Sequence, residues 1–290
     1  MDYTSVSLDG IENYRQRLAQ TSQVTSDYSF VNIWSWAGAY NLKWSDDGEL
    51  IWLRQTDPET IFWAPVGNWE AVDWQNRLSG FDSGSRFSRV PEKLVDLWQS
   101  AVPERLKIEE ARNHWDYVYR VEELAALRGN RFHKKKNLLN QFKKRYAYKF
   151  VPFSGKLIEE ATALQDDWCT WRDCESDDIL SSENHAIQKV LDAWSRLPGL
   201  LGGAILVDGF IVAYTVGEPL DDTTLVIHFE KGCTAHKGVY QAINQMFLES
   251  VQEMFTFVNR EQDLGDEGLR KAKLSYNPSH FMKKFNVTLV

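Results

Sequence analysis

At 290 residues, with 43% hydrophobic and 26% charged side chains, the chain is long enough for two cores and too apolar to be disordered. Its formal net charge of −8 argues against a general polyanion binder. No run of about 18 uninterrupted apolar residues occurs, which predicts no transmembrane helix.

Residues 41–44 read as a strand that turns at Asp47-Gly48 into a second strand, 50–53. A third strand is predicted at 60–63, a helix at 69–78, a strand at 86–90 and a helix at 91–102 with Pro91 in its first turn. A last strand, 116–120, ends this half. Nine of the twelve tryptophans precede residue 116, and Trp34 and Trp36 read as core and rim rather than as a stacking platform.

Residues 121–146 follow, with Leu124, Leu127, Leu138, Phe142 and Tyr146 near helical spacing and a break at Arg128-Gly129-Asn130. No acid lies between Leu124 and Ile158, a stretch that holds ten bases and leaves 23 basic against 41 acidic residues elsewhere. A basic block on an acidic chain points to a specific anionic ligand; the plainer alternative is a solvated helix face.

A strand at 148–153 opens the second half, and helices are expected over 156–171 and after a cap at Ser181-Ser182-Glu183-Asn184, ending at Pro198-Gly199. The β-branched runs 203–207 and 210–216 flank Asp208-Gly209, the strongest hairpin signal in the chain. Then come a strand at 225–229, a helix over 238–253, a strand at 255–259, a short helix over 268–274 stopped by Asn277-Pro278, and a strand at 286–290. The two Asp-Gly turns lie 161 positions apart and the other elements follow at similar offsets, so the order reads as two copies of one fold. The expected class is mixed α/β, each copy a mostly antiparallel sheet flanked by helices. The expected division is 1–123, a basic helical linker 124–147, and 148–290.

Three motifs stand out. One is Arg131-Phe132-His133-Lys134-Lys135-Lys136-Asn137-Leu138-Leu139-Asn140-Gln141-Phe142. Another is His228-Phe229-Glu230-Lys231, followed by Gly238-Val239-Tyr240-Gln241-Ala242-Ile243-Asn244. The third is Asn259-Arg260-Glu261-Gln262-Asp263-Leu264-Gly265, continuing Gly268-Leu269-Arg270-Lys271-Ala272-Lys273-Leu274-Ser275-Tyr276-Asn277-Pro278. With the element order, these resemble the soluble domain of phosphatidylglycerol lysyltransferases and its stand-alone relatives, over residues 27–290. The resemblance implies two tandem GNAT (N-acetyltransferase-like) domains, related to Fem-type aminoacyltransferases. It implies an acyl or aminoacyl transferase with charged tRNA as donor and a small molecule or lipid headgroup as acceptor.

Glu230 and His228 share one face of their strand, where a carboxylate and an imidazole could take a proton from an attacking amine or hydroxyl; an ion-paired strand end is the alternative. Asp263 is a second catalytic carboxylate or a helix cap. Arg270 and Lys273 share a helix face and suit a phosphate or carboxylate, while Lys271 points elsewhere. Lys134, Lys135 and Lys136 fan around their helix and cannot all face one ligand. Lys135, Lys136 and Asn137 are binding candidates from the linker, and the third motif adds Asn259 and Tyr276.

Acetyl-CoA is the alternative donor: Gly232 and Gly238 precede a helix start that could take a diphosphate, but the paired-glycine signature of acetyl-CoA enzymes is missing. A third expectation is a non-catalytic module that binds an anion. The histidines lack zinc-ligand spacing, so no metal is expected. Cys169, Cys174 and Cys233 form no framework and read as reduced thiols; together with an N-terminus unlike a signal peptide, this makes the expected setting cytoplasmic.

Overall fold

The computed structural model describes residues 1–290, the side chain of Glu175 excepted. The chain opens with β1 (Thr4–Ser5), α1 (Ile11–Leu18), α2 (Phe30–Ser35) and α3 (Ala37–Tyr40). It continues through β2 (Lys43–Asp46), β3 (Leu50–Gln55), β4 (Ile61–Gly67), α4 (Trp74–Ser79), β5 (Arg86–Pro91), α5 (Glu92–Ala101), β6 (Leu106–Glu110) and β7 (Asp116–Arg120). Next come α6 (Val121–Ala126), α7 (His133–Arg145), β8 (Tyr148–Pro152), α8 (Lys156–Arg172) and α9 (Asp178–Asp192). The last elements are β9 (Leu201–Val207), β10 (Phe210–Pro219), β11 (Thr224–Gly232), α10 (Val239–Val251), β12 (Phe257–Asn259), α11 (Glu267–Leu274), β13 (His280–Met282) and β14 (Lys284–Leu289).

These elements make two mixed sheets flanked by helices, the expected class. One sheet has the order β1-β2-β3-β4-β5-β14-β6, antiparallel except for β4 beside β5. The other has the order β13-β7-β12-β11-β10-β9-β8, with β11 parallel to β12. Both Asp-Gly hairpins form. Asp208 and Gly209 each take positive φ (52° and 87°), the twist that matches flanking strands. Phe30, Trp52, Phe87 and Trp98 fill the core of the first sheet's unit; Tyr119, Phe142, Tyr214 and Phe247 fill that of the second. Trp34 is buried and Trp36 half-buried, in keeping with core and rim. No helix among the described residues is long and apolar enough to cross a membrane.

The chain divides into two compact units that do not follow chain order. Met1–Asp116, Gln262–Asp266 and Phe281–Val290 form the first; Tyr117–Glu261 and Glu267–His280 form the second. The expected division was continuous, and two strands account for the difference. β14, expected to close the second half, pairs with β5 and β6 in the first sheet. β7, expected to end the first half, pairs with β12 in the second.

A buried charge cluster explains where β14 goes. Lys284, at its start, is fully buried and donates to Asp27 and, at 2.6 Å, to Asp116. Asp27 also faces Arg89, whose Nε lies 3.0 Å away. Burial opposes the charge on Lys284, but the two carboxylates outweigh it and raise its pKa. Ser26 completes the cluster, giving both its N–H and its hydroxyl to Asp116.

Local readings differ in several places, Pro91 among them, which ends β5 and caps α5 rather than lying in its first turn. The helix expected over 69–78 is a 3-10 turn, Trp69–Ala71, followed by α4, because Val72 and Asp73 are not helical and Asp73 caps the Asn76 N–H. α9 starts earlier than Ser181 because the Asp177 carboxylate caps Ile179 and Leu180. The thiol reading is corrected: Cys169 and Cys174 form a disulfide, Cys233 alone being free. Asp173, in the left-handed region at φ 51°, ends α8 and turns Cys174 back, leaving the two Cα atoms 5.1 Å apart.

Replacing Lys284 with Met strands two buried carboxylates. Urea denaturation of Lys284→Met is expected to show a loss of about 3–5 kcal/mol; a loss below about 1 kcal/mol would mean the cluster does not hold the strand.

Candidate functional site

The second unit brings together residues from the ends of two central strands, three helices and one loop. Glu230 sits near the end of β11 and Asn259 at the end of β12, with Arg260 next in the chain. The Glu230 Oε1 accepts a hydrogen bond from Arg260 Nη2 at 3.0 Å, and its Oε2 accepts one from Asn244 Nδ2 of α10 at 3.0 Å. Both carboxylate oxygens are thereby fixed in direction.

Tyr276, just past α11, is the hub of the cluster. The Arg260 guanidinium lies 4.9 Å from its ring centroid and the Lys135 Nζ lies 4.0 Å from it. Two cations against one aromatic ring is a cation–π arrangement that is also a concentrated positive field. Burial, and then the nearby Arg260, lower the Lys135 pKa to about 8, so its amine gives up a proton close to neutral pH. Burial raises the Tyr276 hydroxyl, which keeps it a neutral donor. Lys273 of α11 donates from Nζ to the Arg260 carbonyl at 2.7 Å, and the Tyr119 hydroxyl donates to the Lys273 carbonyl at 2.9 Å. These bonds clamp α11 to the strand ends that carry Arg260. The Arg260 Nη1 is buried and makes no hydrogen bond of standard geometry, although the Tyr276 hydroxyl is near. A buried donor of this kind, with the Lys135 cation across the same ring, is a place for a ligand oxygen.

The structure thus gathers Glu230, Tyr276, Lys135 and Lys273 from among the residues singled out in the sequence. The fan of lysines resolves as its geometry requires: Lys135 turns to Tyr276 while Lys134 and Lys136 are exposed. Asn137 is exposed on the same helix. On α11, Arg270 is half-buried and Lys271 exposed. Asn259 is fully buried and uses its Oδ1 to accept the Glu261 N–H, which shapes the turn after β12. Gly238 caps α10 with φ +87°, and a Cβ there would meet the Leu138 carbonyl oxygen at 2.3 Å. Its glycine is required by the close packing of α7. Asp263 lies in the first unit, fully buried, 3.3 Å from Arg112 and accepting the Gly265 N–H.

Arg260 and Asn244 carry no role in the sequence reading, although both fall inside its motifs. A lone arginine directly after a strand, between Asn259 and Glu261, is the signal available for Arg260. Lys231 is a further buried cation, held by Glu183 at 2.7 Å with its Nζ 3.7 Å from the Trp168 ring centroid.

His228 forms its own cluster. Its Nδ1 is 2.9 Å from Glu261 Oε1 and its Nε2 is 3.2 Å from Glu218 Oε1. Burial works against the charged imidazole, but hydrogen bonds to the two carboxylates outweigh it and raise the pKa to about 9. His228 is therefore an imidazolium at neutral pH and donates from both nitrogens, which suits an ion-paired strand end better than a general base. A folded-state pKa above the ordinary value of about 6.5 stabilises the protein fully below that pH, and the gain is lost as pH rises through 9. Urea-unfolding free energies are expected to fall between about pH 6.5 and pH 9, with that fall removed in His228→Gln. An identical pH profile in the variant would show the imidazole to be neutral.

The likeness to known proteins follows the same lines. The family described as phosphatidylglycerol lysyltransferase, C-terminal, matches residues 18–288. A conserved protein of unknown function from Bacteroides thetaiotaomicron superposes with a TM-score of 0.92 at 29% identity, covering 100% of both chains. The C-terminal domain of a putative lysylphosphatidylglycerol synthetase from Agrobacterium fabrum superposes at 0.67 and 13% identity, covering 97% of this chain and 92% of that one, and so shares the fold. An uncharacterized protein of Mycoplasmoides gallisepticum is 25% identical over 179 residues, which are 60% of this chain. The chain spans 56% of the length of that curated relative. With its match running over nearly the whole sequence, this chain belongs to the phosphatidylglycerol lysyltransferase C-terminal family.

Proposed function

We propose that the chain transfers an aminoacyl group from charged tRNA to an amine or hydroxyl acceptor. Family and fold support an acyl or aminoacyl transferase of the GNAT-like type. The observation that carries the finer reading is the pair of cations, Arg260 and Lys135, set against Tyr276 beside the fixed carboxylate of Glu230.

In this reading the acceptor attacks the carbonyl carbon of the aminoacyl ester. A new C–N or C–O bond forms, the ester C–O bond to the terminal ribose breaks, and the ribose oxygen leaves. Glu230 takes the proton from the acceptor and returns it to that oxygen; Asn244 and Arg260 keep the carboxylate aimed. Arg260 Nη1 and the Tyr276 hydroxyl face the charge that develops on the carbonyl oxygen. Lys135, with Lys136 and Asn137 on the exposed side of α7 and Arg270 and Lys273 on α11, holds the phosphates of the donor. Asp263, locked to Arg112, and Asn259, His228 and Gly238 keep the framework in place. No covalent intermediate on the protein is required, since positioning and one base suffice. The acceptor is a small molecule or a lipid headgroup, and a tRNA donor makes the setting cytoplasmic.

Thermal-shift titrations with charged tRNA and with acetyl-CoA separate the donors. Stabilisation by charged tRNA that weakens with salt is expected, and Lys135→Ala should reduce the salt slope by about 1. Glu230→Gln should still bind the donor while turnover falls about 100-fold or more. Stabilisation by acetyl-CoA alone would replace the donor with a CoA thioester. Undiminished turnover in Glu230→Gln would remove the base.

A further inference from the structure

We propose that the first unit holds a binding site for a small monocarboxylate with an apolar body, formed around Arg89, Ser88 and His114. All the residues involved belong to the first unit, and the inference does not depend on the transferase reading.

A cavity of about 300 Å³ opens among β3, β4, β5, β6 and β14, at the lower end of small-molecule sites. Arg89 in its wall is unusual. It lies inside a strand yet has φ 57°, a left-handed conformation that a long side chain adopts at a cost. The surroundings force it. Asp27 lies 3.0 Å from its Nε, the Tyr28 hydroxyl donates to its carbonyl at 3.0 Å, and its guanidinium sits 4.1 Å from the Trp63 ring centroid and 5.0 Å from that of Tyr40. Held this way, the guanidinium has a free edge: Nη1 makes only a long 3.5 Å contact with Gln55 Oε1, and Nη2 makes no hydrogen bond to the protein.

Two neighbours lining the same cavity also lack partners. The Ser88 Oγ and the His114 Nδ1 are buried without a hydrogen bond. Burial and the adjacent Arg89 hold the His114 pKa down to about 4, so the imidazole is neutral and carries one donor and one acceptor. Folded proteins leave few such atoms unsatisfied, and two of them beside the open guanidinium edge of Arg89 suit the two oxygens of a bound carboxylate.

The charge balance selects the ligand class. Arg89 is offset by Asp27, Lys284 by Asp27 and Asp116, and Arg86 by Glu59, with bonds of 2.6 and 2.8 Å; Glu109 adds a carboxylate at the rim. The site has little net positive charge to hold a phosphate dianion. It has one planar guanidinium edge for a carboxylate, and Tyr40, Ile61 and Phe87 supply an apolar wall.

The test is calorimetric titration of the full chain with benzoate, acetate and inorganic phosphate. Benzoate is expected to bind at one site with a Kd of about 1 mM or tighter, acetate more weakly, and phosphate not measurably at about 10 mM. Arg89→Lys, which keeps the charge and loses the planar edge, should weaken benzoate about tenfold. Ser88→Ala removes only an unpartnered hydroxyl and should weaken benzoate about threefold with an unchanged unfolding midpoint. If Arg89→Lys does not fold, Ser88→Ala decides alone. No saturable benzoate binding up to about 10 mM would mean that the cavity holds only water. Binding of phosphate in preference to benzoate, or benzoate binding untouched by Ser88→Ala, would equally overturn the proposal.

Discussion

Lys284 between Asp27 and Asp116 is the contact on which the architecture turns. A buried lysine is tolerable only where carboxylates meet it, and those carboxylates are tolerable only while the lysine is there. The three residues come from the beginning of the chain, its middle and its end. Their pairing draws β14 out of the second half of the sequence and into the first sheet. Asp116 is also the residue at which the chain passes from one compact unit to the other. Through Asp27 the same cluster reaches Arg89 and supports its strained backbone.

At the candidate site of the second unit one cation, Lys135, faces no carboxylate, while His228 and Lys231 in the same unit are closed off in ion pairs. Glu230 answers Arg260, but Lys135 lies against the face of an aromatic ring, where burial and the nearby Arg260 lower its proton affinity, a cost of placing a cation there. Folded proteins keep such costs where a ligand will offset them. The helix that carries Lys135 is also the one that forces a glycine at the start of α10, so α7 and α10 are held together by one close backbone contact.

Local chemistry made much of this legible. Asp-Gly turns between β-branched runs placed both hairpins, and the tandem order placed the class, because these signals depend on neighbours in sequence. The exchange of β7 and β14 was not legible. A strand pattern states which face is apolar and not which sheet it joins, and the deciding contact, Lys284 with Asp27, spans 257 positions. At the candidate site the motifs hold residues that the structure brings together and others that it keeps apart. Glu230, Tyr276 and Lys135 meet, whereas Asp263 belongs to an ion pair in the first unit and His228 to a charged cluster of its own. For Arg260 the one local signal, its place directly after a strand, does not name its partners. Its importance comes from Glu230 and Tyr276, thirty residues before it and sixteen after it. The disulfide was missed for a related reason, since a five-residue spacing closes only if the helix stops and turns between the two cysteines, as it does at Asp173.

The central claim is that the Arg260–Tyr276–Lys135 cluster receives an activated acyl ester and that Glu230 moves the proton. Its most direct test is a single-turnover experiment with protein in excess over charged tRNA carrying a labelled amino acid, in the presence of a panel of small amines and lipid headgroup analogues. The account predicts that with at least one acceptor the label leaves the tRNA in a single exponential, at least about a hundredfold faster than spontaneous hydrolysis, and is recovered on that acceptor. Decay at the spontaneous rate with every acceptor, alongside consumption of a CoA thioester under the same conditions, would contradict it.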